Sequence, residues 1–239
     1  MGLRMKFFQT SLRITSLVRR ELTRHLHSFL GVGKFVRDLV SWRRNGGEIT
    51  RLYPVLRDFS DSAGVAKGHY FFQDLIVARE VFEQSPRKHV DIGSRVSGFV
   101  AHVASFREIE VMDIRPMRGI QGISFTQADL MMPNGVRADS VSCLHAIEHF
   151  GLGRYSDPIN PTGHQEAFKN LVEMVEVNGR LYVSFPVSSV PRIDFNAHRV
   201  FSTSEIFSWN GATKLELEGY WLIDDSGYPS SGAQPQDEN

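Results

Sequence analysis

The stretch that decides the fold is K-H-V-D-I-G-S-R-V-S-G, which runs from Lys88 to Gly98. It predicts a short buried strand over His89–Ile92, a sharp turn at Gly93 and a helix over Phe99–Ser105. Glycine suits such a turn because it adopts a positive φ at little cost. Ligands of open α/β sheets bind outside the carboxyl ends of the strands. Asp91 and Gly93 therefore stand where a sheet of this kind holds a ligand.

Strands and helices alternate on both sides of this stretch. Further strands are predicted over residues 109–114, 123–128, 140–144, 180–185 and 214–223, and helices over residues 70–82 and 163–177. Asn178-Gly179 is a stop signal for the second of these helices. Ser202-Thr203-Ser204-Glu205 is a capping box for a short helix that ends near Trp209. The alternation predicts an α/β fold with a mostly parallel sheet covered by helices on both faces.

Composition indicates an ordinary globular protein. The chain has 239 residues, of which 41% are hydrophobic and 23% charged. This suits one large domain, or one domain with an appendage. The single cysteine, Cys143, lies in an apolar run, so we expect a core residue rather than part of a disulfide or a cysteine metal cluster. No apolar run approaches the ~20 residues of a membrane helix, so we expect a cytoplasmic protein in a reducing setting.

Three segments are predicted from charge and composition: a basic helical extension with a linker (1–67), the α/β domain (68–225) and a disordered tail (226–239). Residues 1–44 carry ten Lys and Arg against Glu21 and Asp38, a surplus of eight positive charges. An amphipathic basic helix can present a solvated face or lie on an anionic membrane surface. Nucleic acid is disfavoured as a partner, because no aromatic stacking platform or glycine-rich clamp accompanies the charge.

Polar side chains follow each of the next three predicted strands. Asp113 lies 20 residues after Gly93, the distance at which dinucleotide folds place the acid that accepts hydrogen bonds from ribose hydroxyls. Asp129 follows the third strand. His145, Glu148 and His149 follow the fourth strand. Acids and histidines at successive strand ends predict a ligand site better than they fit core packing.

These residues carry a resemblance to a known family. The quoted motifs are D-I-G-S (91–94), M-D-I-R (112–115), A-D-L (128–130), L-H-A-I-E-H-F (144–150) and V-N-G-R-L-Y-V-S-F-P (177–186). In succession they resemble the motifs of class I S-adenosylmethionine-dependent methyltransferases, over residues 68–225. More narrowly, H-V-D-I-G-S-R, H-A-I-E-H-F-G-L-G-R-Y and F-N-A-H-R-V-F-S are similar to the DUF268 family of bacterial proteins.

The resemblance implies a Rossmann-like three-layer sandwich, S-adenosylmethionine as cofactor and methyl transfer to a small polar or sugar-type acceptor. The implied cofactor-binding residues are Asp91, Gly93, Ser94, Arg95, Asp113, Ile114, Asp129, Leu130 and His145. A base is needed if the acceptor is a hydroxyl, and His149 or His198 is expected to supply it, with Glu148 beside His149. Arg154, Asn196 and Arg199 are expected to bind the acceptor, and no metal is expected.

Departures from the family pattern keep other functions open. Arg95 and Ser97 replace the second and third glycines of the usual turn, and one clear strand follows the last predicted helix where such domains usually finish with an antiparallel strand pair. A non-catalytic scaffold with the same fold is therefore one alternative. A dinucleotide or nucleotide-sugar enzyme is another, disfavoured because the charge of Asp91 would face a pyrophosphate. His145-x-x-Glu148-His149 also matches a zinc-protease pattern, but it straddles a strand end.

Overall fold

The computed structural model describes residues 30–60, 64, 66, 68–224 and 229–231. The chain divides into two compact units, residues 1–65 and 66–239, and each is described by itself. In the described part of the first unit, residues 30–44 form helix α1. The Trp42 indole N–H donates to the backbone oxygen of Glu48 at 3.1 Å and so ties the helix to the chain that follows it. The rest of the predicted basic helices, residues 1–29, lies outside the described residues.

The second unit is built around a five-stranded parallel sheet. The strands are β1 (His89–Ile92), β2 (Ile109–Asp113), β3 (Ile123–Gln127), β4 (Ala138–Leu144) and β5 (Val175–Ser184). Their order is β3-β2-β1-β4-β5, and every pair is parallel. All four residues of β1 are buried, as expected of a central strand covered on both faces.

Helices cover the two faces of the sheet. On one face, α2 (His69–Gln84), an irregular helical segment (Val96–Val100) and α3 (Ala101–Ala104) pack on an apolar cluster that includes Val81 and Phe99. On the other face, α4 (Gly163–Met174) packs on a cluster that includes Phe168 and Trp209. The buried Cys143 belongs to this second cluster. The predicted Rossmann-like three-layer sandwich is confirmed, and so is the role of Cys143 as a core residue.

The boundary between α4 and β5 differs from the prediction. Helix α4 ends at Met174, and β5 begins at Val175 with extended backbone. Val175 and Val177 favour a strand because they are β-branched. Asn178 has a φ of 64°, and the pairing of β4 with β5 shifts register between Ala138 and Ser140. The Asn178-Gly179 pair therefore makes an irregularity within the strand and does not end the helix.

The C-terminal part contains two small antiparallel pairs in place of a sixth strand. A hairpin pairs β6 (Arg192–Asp194) with β7 (His198–Val200), and a second pair joins β8 (Trp221–Ile223) to β9 (Pro229–Ser231). The predicted strand over 214–223 is wrong except at its end, since a 3-10 turn already occupies Ala212–Lys214. Strand β9 also corrects the predicted disordered tail at residues 229–231; residues 226–228 and 232–239 lie outside the described residues.

The predicted capping box is only partly formed. The backbone N–H of Ser202 donates to Glu205 Oε2 at 3.4 Å, which is the return half of such a box. The segment that follows, Glu205–Ser208, is a 3-10 helix rather than an α-helix, and no side chain caps it. Among the described helices, none combines the length and the apolar composition that crossing a bilayer demands.

Candidate functional site

The carboxyl ends of the parallel strands open onto one large cleft. Its volume is about 2510 Å³, and it extends from these strand ends along β5 to the C-terminal segment. The sequence-predicted residues that line it are Gly93, Arg95, Asp113, Ile114, Asp129, Leu130, His145, Glu148, His149, Arg154 and His198. The parallel arrangement thus brings together side chains that are up to about 100 residues apart in the sequence.

The turn after β1 is supported from below by a buried carboxyl group. Gly93 has a φ of 68°, and a Cβ there would lie 3.0 Å from the Cβ of Ala146. Asp91 Oδ1 accepts hydrogen bonds from the hydroxyls of Ser94 and Ser142, both at 2.6 Å. Burial raises the pKa of Asp91 to about 6 against the opposing effect of these hydrogen bonds. Glycine therefore keeps the surface of the turn open, while Asp91 fixes its shape.

This geometry corrects two predicted contacts. Asp91 is fully buried and Ser94 nearly so, and neither lines the cleft. The Ser94 hydroxyl also accepts the backbone N–H of Leu144 at 3.2 Å, which ties the turn to β4. Both side chains face inward because the turn needs their hydrogen bonds. They position the backbone around Gly93 and do not touch a ligand in the cleft.

Arg115 covers the acid at the end of β2. Its Nε lies 2.9 Å from Asp113 Oδ1 and its Nη2 lies 2.5 Å from Asp113 Oδ2. The hydrogen bond between Arg115 Nη2 and the carbonyl of Gly93 is 3.4 Å long and reaches across to the turn after β1. The Arg115 guanidinium also stacks on the ring of Tyr155, 4.5 Å from its centroid. Asp113 therefore faces the cleft with its charge already paired.

Turns shape the chain that follows the third strand, β3. Asp129 Oδ1 accepts the backbone N–H of Met131 at 2.9 Å. The carbonyl of Leu130 accepts a hydrogen bond from the Asn170 side chain at 2.8 Å, which joins this loop to α4. Asp129 and Leu130 thus present one acceptor and one apolar side chain at the wall that the resemblance assigns to adenine.

Glu148 lies between two histidines. Its side chain is 2% exposed, and its Oε1 lies 3.1 Å from His145 Nδ1 and 3.7 Å from His149 Nε2. Glu148 Oε2 has no hydrogen-bond partner in the described structure. A buried carboxyl oxygen without a partner is costly. Glu148 lines the cleft, but this oxygen is itself shielded from solvent, so a ligand reaches it only after a neighbouring side chain moves.

Hydrogen bonding fixes the tautomer of His149. Its Nδ1 lies 2.7 Å from the carbonyl oxygen of Ala197, which only accepts, so Nδ1 carries the proton. Nε2 is then the nitrogen able to take up a proton. Burial lowers the pKa of His149, although Glu148 opposes that effect. The imidazole is therefore neutral near pH 7, as a base requires.

The hairpin β6–β7 brings further residues to this side of the cleft. The Arg154 guanidinium donates to the same Ala197 carbonyl at 2.8 Å and lies over the Tyr155 ring at 5.1 Å. His198 lies with its ring centroid 6.5 Å from that of His149, and its Nε2 is 3.5 Å from Asp194. His149 therefore has the more defined geometry of the two predicted bases.

Two predicted acceptor contacts are not supported. Arg199 is 3% exposed, and its guanidinium donates to the carbonyls of Phe150 at 2.7 Å and Pro161 at 3.3 Å. These two carbonyls belong to the loop after β4 and have no partner in a strand. The Arg199 guanidinium therefore anchors this loop. Asn196 is exposed in the hairpin turn and does not line the cleft. The prediction that both bind the acceptor is wrong in this geometry.

Aromatic and histidine side chains of α2 add a wall to the cleft. His69, Tyr70 and His145 form a cluster with ring centroids 4.4 to 4.9 Å apart. Arg95 lies over the Tyr70 ring at 5.9 Å, while its Nε donates to Ser97 Oγ at 3.2 Å. The sequence had no signal for Arg115 or Tyr155, since nothing in it indicates that the 151–157 loop faces the strand ends, and His69 precedes the predicted helix over 70–82.

The residues present fit S-adenosylmethionine. Gly93 leaves space that a Cβ would fill, and acceptors follow β2, β3 and β4 in the same cleft. The unpartnered Glu148 oxygen suits a cationic ligand. Metal binding has less support, because in the described part of the chain no group of three His, Cys, Asp or Glu side chains is arranged to hold an ion.

Comparisons with solved structures return methyltransferases. The sugar N-methyltransferase KedS8 from Streptoalloteichus has 16% identity and a TM-score of 0.40, over 59% of this chain and 62% of that one. The amino pentose methyltransferase from Micromonospora echinaspora has 16% identity and a TM-score of 0.39, over 57% and 58%. The methyltransferase domain of bacterial CtHen1 has 17% identity and a TM-score of 0.45, over 66% and 94%. The chain thus spans less than two thirds of the first two proteins.

Sequence comparison identifies a narrower family than the comparison of structures does. No curated protein sequence matches the chain. The family model described as "Caenorhabditis protein of unknown function, DUF268" matches residues 105–207, a stretch that includes β2 to β7. That description does not support the predicted bacterial origin. The match covers most of the cleft-forming strand ends and confirms the predicted resemblance of this chain to the DUF268 family.

Proposed function

We propose that this protein is an S-adenosylmethionine-dependent methyltransferase whose acceptor is a small polar or sugar-type molecule with a reactive hydroxyl. The observation that carries the proposal is the convergence of the open Gly93 turn, Asp113, Asp129 and the His145–Glu148–His149 cluster on one cleft. The resemblance of the motifs to class I methyltransferases supports the choice of cofactor. The buried thiol of Cys143 suits a reducing, cytoplasmic setting.

Cofactor binding would use the strand ends in order. The backbone around Gly93 would hold the methionine part, Asp113 the ribose, and Asp129 with Leu130 the adenine. Arg95 lines the same cleft and is placed to pair with a carboxylate. When bound, S-adenosylmethionine supplies an electrophilic methyl group and leaves as S-adenosylhomocysteine, so the chain's own task is orientation and exclusion of water.

Proton removal from the acceptor would fall to His149. Bound S-adenosylmethionine would supply the methyl group to the acceptor oxygen, and its sulfur would keep the electron pair of the carbon–sulfur bond. The hydroxyl proton passes to His149 Nε2. The resulting imidazolium lies 3.7 Å from Glu148 Oε1, whose charge stabilises it. The Ala197 carbonyl holds the ring in the required orientation throughout. Arg154, at the same edge, would bind the acceptor.

Calorimetric titration with S-adenosylmethionine and S-adenosylhomocysteine tests the proposal. We expect wild-type protein to bind both and Asp113→Asn to lose at least about tenfold in affinity, since hydrogen bonds to charged groups contribute about 1.5–3 kcal/mol. Glu110→Gln is the matched control. Glu110 lies on the same strand but pairs with Lys88 at 2.8 Å, away from the cleft. Folded wild-type protein that binds neither ligand would sink the proposal.

Turnover separates the proposed enzyme from its main alternative. Incubating the protein with methyl-labelled cofactor and a panel of hydroxyl-bearing sugars should yield labelled product. Tight cofactor binding with no transfer to any acceptor, in a panel that also includes amines and carboxylates, would favour the non-catalytic scaffold instead. Binding of a nicotinamide dinucleotide in place of S-adenosylmethionine would favour the dinucleotide alternative.

For the N-terminal unit we propose contact with an anionic membrane surface. Val32, Val36 and Val40 recur every fourth residue along α1 and are 43% to 50% exposed. Arg37, Arg43 and Arg44 are exposed on the same helix. An apolar stripe edged by arginines is typical of helices that lie on anionic lipid. The protein should sediment with phosphatidylglycerol vesicles, and Val36→Glu should abolish this, whereas Val190→Glu in the second unit should not.

A further inference from the structure

The carboxylate of Asp113 keeps at most one acceptor position for a ribose. A carboxylate offers about four lone-pair sites. Asp113 Oδ1 accepts the backbone N–H of Arg115 at 2.8 Å, and Oδ2 accepts Nη2 at 2.5 Å. The single Nε–H is shared between Oδ1 at 2.9 Å and Oδ2 at 3.2 Å. Arg115 therefore occupies most of the acceptor positions that the fold offers to the ribose hydroxyls.

The guanidinium is held in this place from two further sides. Its Nη2 donates to the carbonyl of Gly93 at 3.4 Å, so it spans the ends of β1 and β2. The Tyr155 ring, 4.5 Å away, covers one of its faces. The loop that carries Tyr155 is itself fixed, because Asp157 accepts the backbone N–H groups of Gly151 at 2.8 Å and Gly153 at 3.1 Å. Arg115 is thus clamped between the cleft floor and an ordered loop.

We propose that Arg115 partly closes the ribose subsite and must release Asp113 before a nucleoside ligand binds. The proposal rests on the function proposed above, because it assumes that Asp113 receives a ribose. The Arg115 side chain is 44% exposed, so it can turn outward without disturbing the core. A ligand has to offer enough contacts elsewhere in the cleft to offset the lost ion pair. Every nucleoside ligand meets this same cost, so Arg115 lowers the affinity for all of them by the same factor.

Removing the guanidinium should therefore strengthen binding. We expect Arg115→Gln to bind S-adenosylhomocysteine about three- to tenfold more tightly than wild type, and adenosine to gain by the same factor. Arg118→Gln is the control, since it removes the same charge from an exposed position that does not line the cleft. Arg115→Ala serves as a second variant, and circular dichroism checks that each protein is folded.

The dependence of binding on salt concentration is an independent test of the proposal. Raising salt from about 0.1 M to about 1 M shortens the screening length from about 10 to about 3 Å. This screening should weaken the Arg115–Asp113 ion pair. The wild-type protein should therefore bind adenosine, which carries no charge, more tightly at high salt. Arg115→Gln should not respond in this way. A wild type that binds more weakly at high salt, as Arg115→Gln does, contradicts the proposal.

The outcomes separate this inference from the proposed function. If wild type binds S-adenosylhomocysteine and Arg115→Gln binds equally or more weakly, Arg115 does not close the site, while the cofactor assignment stands. If only Arg115→Gln binds, the closure by Arg115 is supported, while the proposal that the wild-type protein uses S-adenosylmethionine falls. If neither protein binds S-adenosylhomocysteine or adenosine, removal of Arg115 has opened nothing and both proposals fall.

Discussion

Charged groups at the amino and carboxyl ends of the central sheet differ in how completely they are hydrogen-bonded. At the amino end, Asp139 accepts the backbone N–H groups of Arg87 and Lys88, both at 2.8 Å. Burial opposes these hydrogen bonds, yet they lower the pKa of Asp139. At the carboxyl end, Glu148 is more deeply buried and keeps one oxygen without a partner in the described structure. Asp139 thus has both oxygens hydrogen-bonded at the amino end, whereas Glu148 at the carboxyl end does not.

Histidines show the same contrast. His89, at the start of β1, has both ring nitrogens within hydrogen-bond reach of hydroxyls, at 2.7 Å from Ser140 and 3.1 Å from Ser142. His149, beyond the end of β4, uses only Nδ1 and keeps Nε2 for proton uptake. Saturated polar groups contribute to stability, whereas unsaturated ones in a cleft indicate a site. Substitutions at the two ends should therefore affect different properties.

The largest effect is expected at His149. Once an acceptor is known, His149→Ala should lower the rate of methyl transfer by about 10²- to 10⁴-fold, the usual contribution of a general base. Affinity for S-adenosylhomocysteine should stay the same. The rate is measured as product formed at saturating cofactor. His102→Ala, on the exposed face of α3, is the control and should keep the wild-type rate.

The pH profile of the same reaction checks the assignment. Since burial lowers the pKa of His149, the wild-type rate should rise with pH, with its midpoint below 6.5, and then level off. A rate that is independent of pH in this range, or a His149→Ala variant at full rate, would assign the base elsewhere.

The next effect concerns His89 and stability. Burial lowers the pKa of His89 to about 3, whereas an unfolded histidine has a pKa of about 6.5. Between these values the unfolded state binds more protons, so stability is complete above about pH 6.5 and is lost as pH falls toward 3. The loss attributable to His89 approaches 1.4 kcal/mol per pH unit at most.

Urea unfolding of wild type and His89→Gln between pH 4 and pH 7 measures this contribution. His164, with a pKa lowered to about 4 by burial, acts in the same sense in both proteins. It therefore does not alter the difference between them. Equal pH dependence for the two proteins would show that His89 does not stay neutral in the folded state.

Asp139 and Asp113 should give opposite results. Asp139→Asn should reduce the free energy of unfolding by about 1–2 kcal/mol, because it weakens charge-assisted hydrogen bonds to two backbone N–H groups. Its affinity for S-adenosylhomocysteine should not change. Asp113→Asn should weaken binding but change stability by less than about 1 kcal/mol, since its partner Arg115 is exposed. A stability loss shared equally by both variants would remove the contrast between the two ends.

The smallest effect is expected at Lys88. Its ammonium lies 2.8 Å from Glu110, but the two side chains are 45% and 21% exposed. Pairs of this kind contribute about 0–1 kcal/mol. Lys88→Ala should therefore unfold within about 1 kcal/mol of wild type and bind ligand normally. A larger loss would mean that the ion pairs at the amino end act as a coupled network, which a double variant with Arg87→Ala would reveal.

The strand ends could be predicted from the sequence because their signals are local. A hydrophobic run followed by an acid or a histidine marks β1, β2 and β4, and parallel pairing then brings these ends to one edge. Asp113, Asp129, Glu148 and His149 were selected in this way, and all four line the cleft. The sequence does not show whether such a side chain faces the cleft or the turn beneath it. Asp91 was misassigned for that reason.

Residues that depend on the loops could not be predicted. Arg199 lies within β7, a three-residue strand that is too short for a periodic signal, and only the folded hairpin turns its guanidinium toward the carbonyls of Phe150 and Pro161. Arg115 follows Asp113 so closely that the sequence cannot distinguish a side chain in solvent from one that covers its neighbour. The alternation of apolar and polar residues over 214–223 suggested a strand of the central sheet. The position of a strand depends on its pairing partners, however, and alternation alone does not show them.

The order of the strands has a consequence for synthesis on the ribosome. Strand β1 is central, but its partner β4 lies far along the chain, with His89 paired to Ser140, 51 residues later. The ribosome adds about 5–20 residues per second, so β4 emerges roughly 3 to 10 seconds after β1. During this time its apolar face has only α2, α3 and the first crossover to cover it. We therefore expect the yield of folded protein to depend on chaperone engagement and on translation speed between codons 93 and 144.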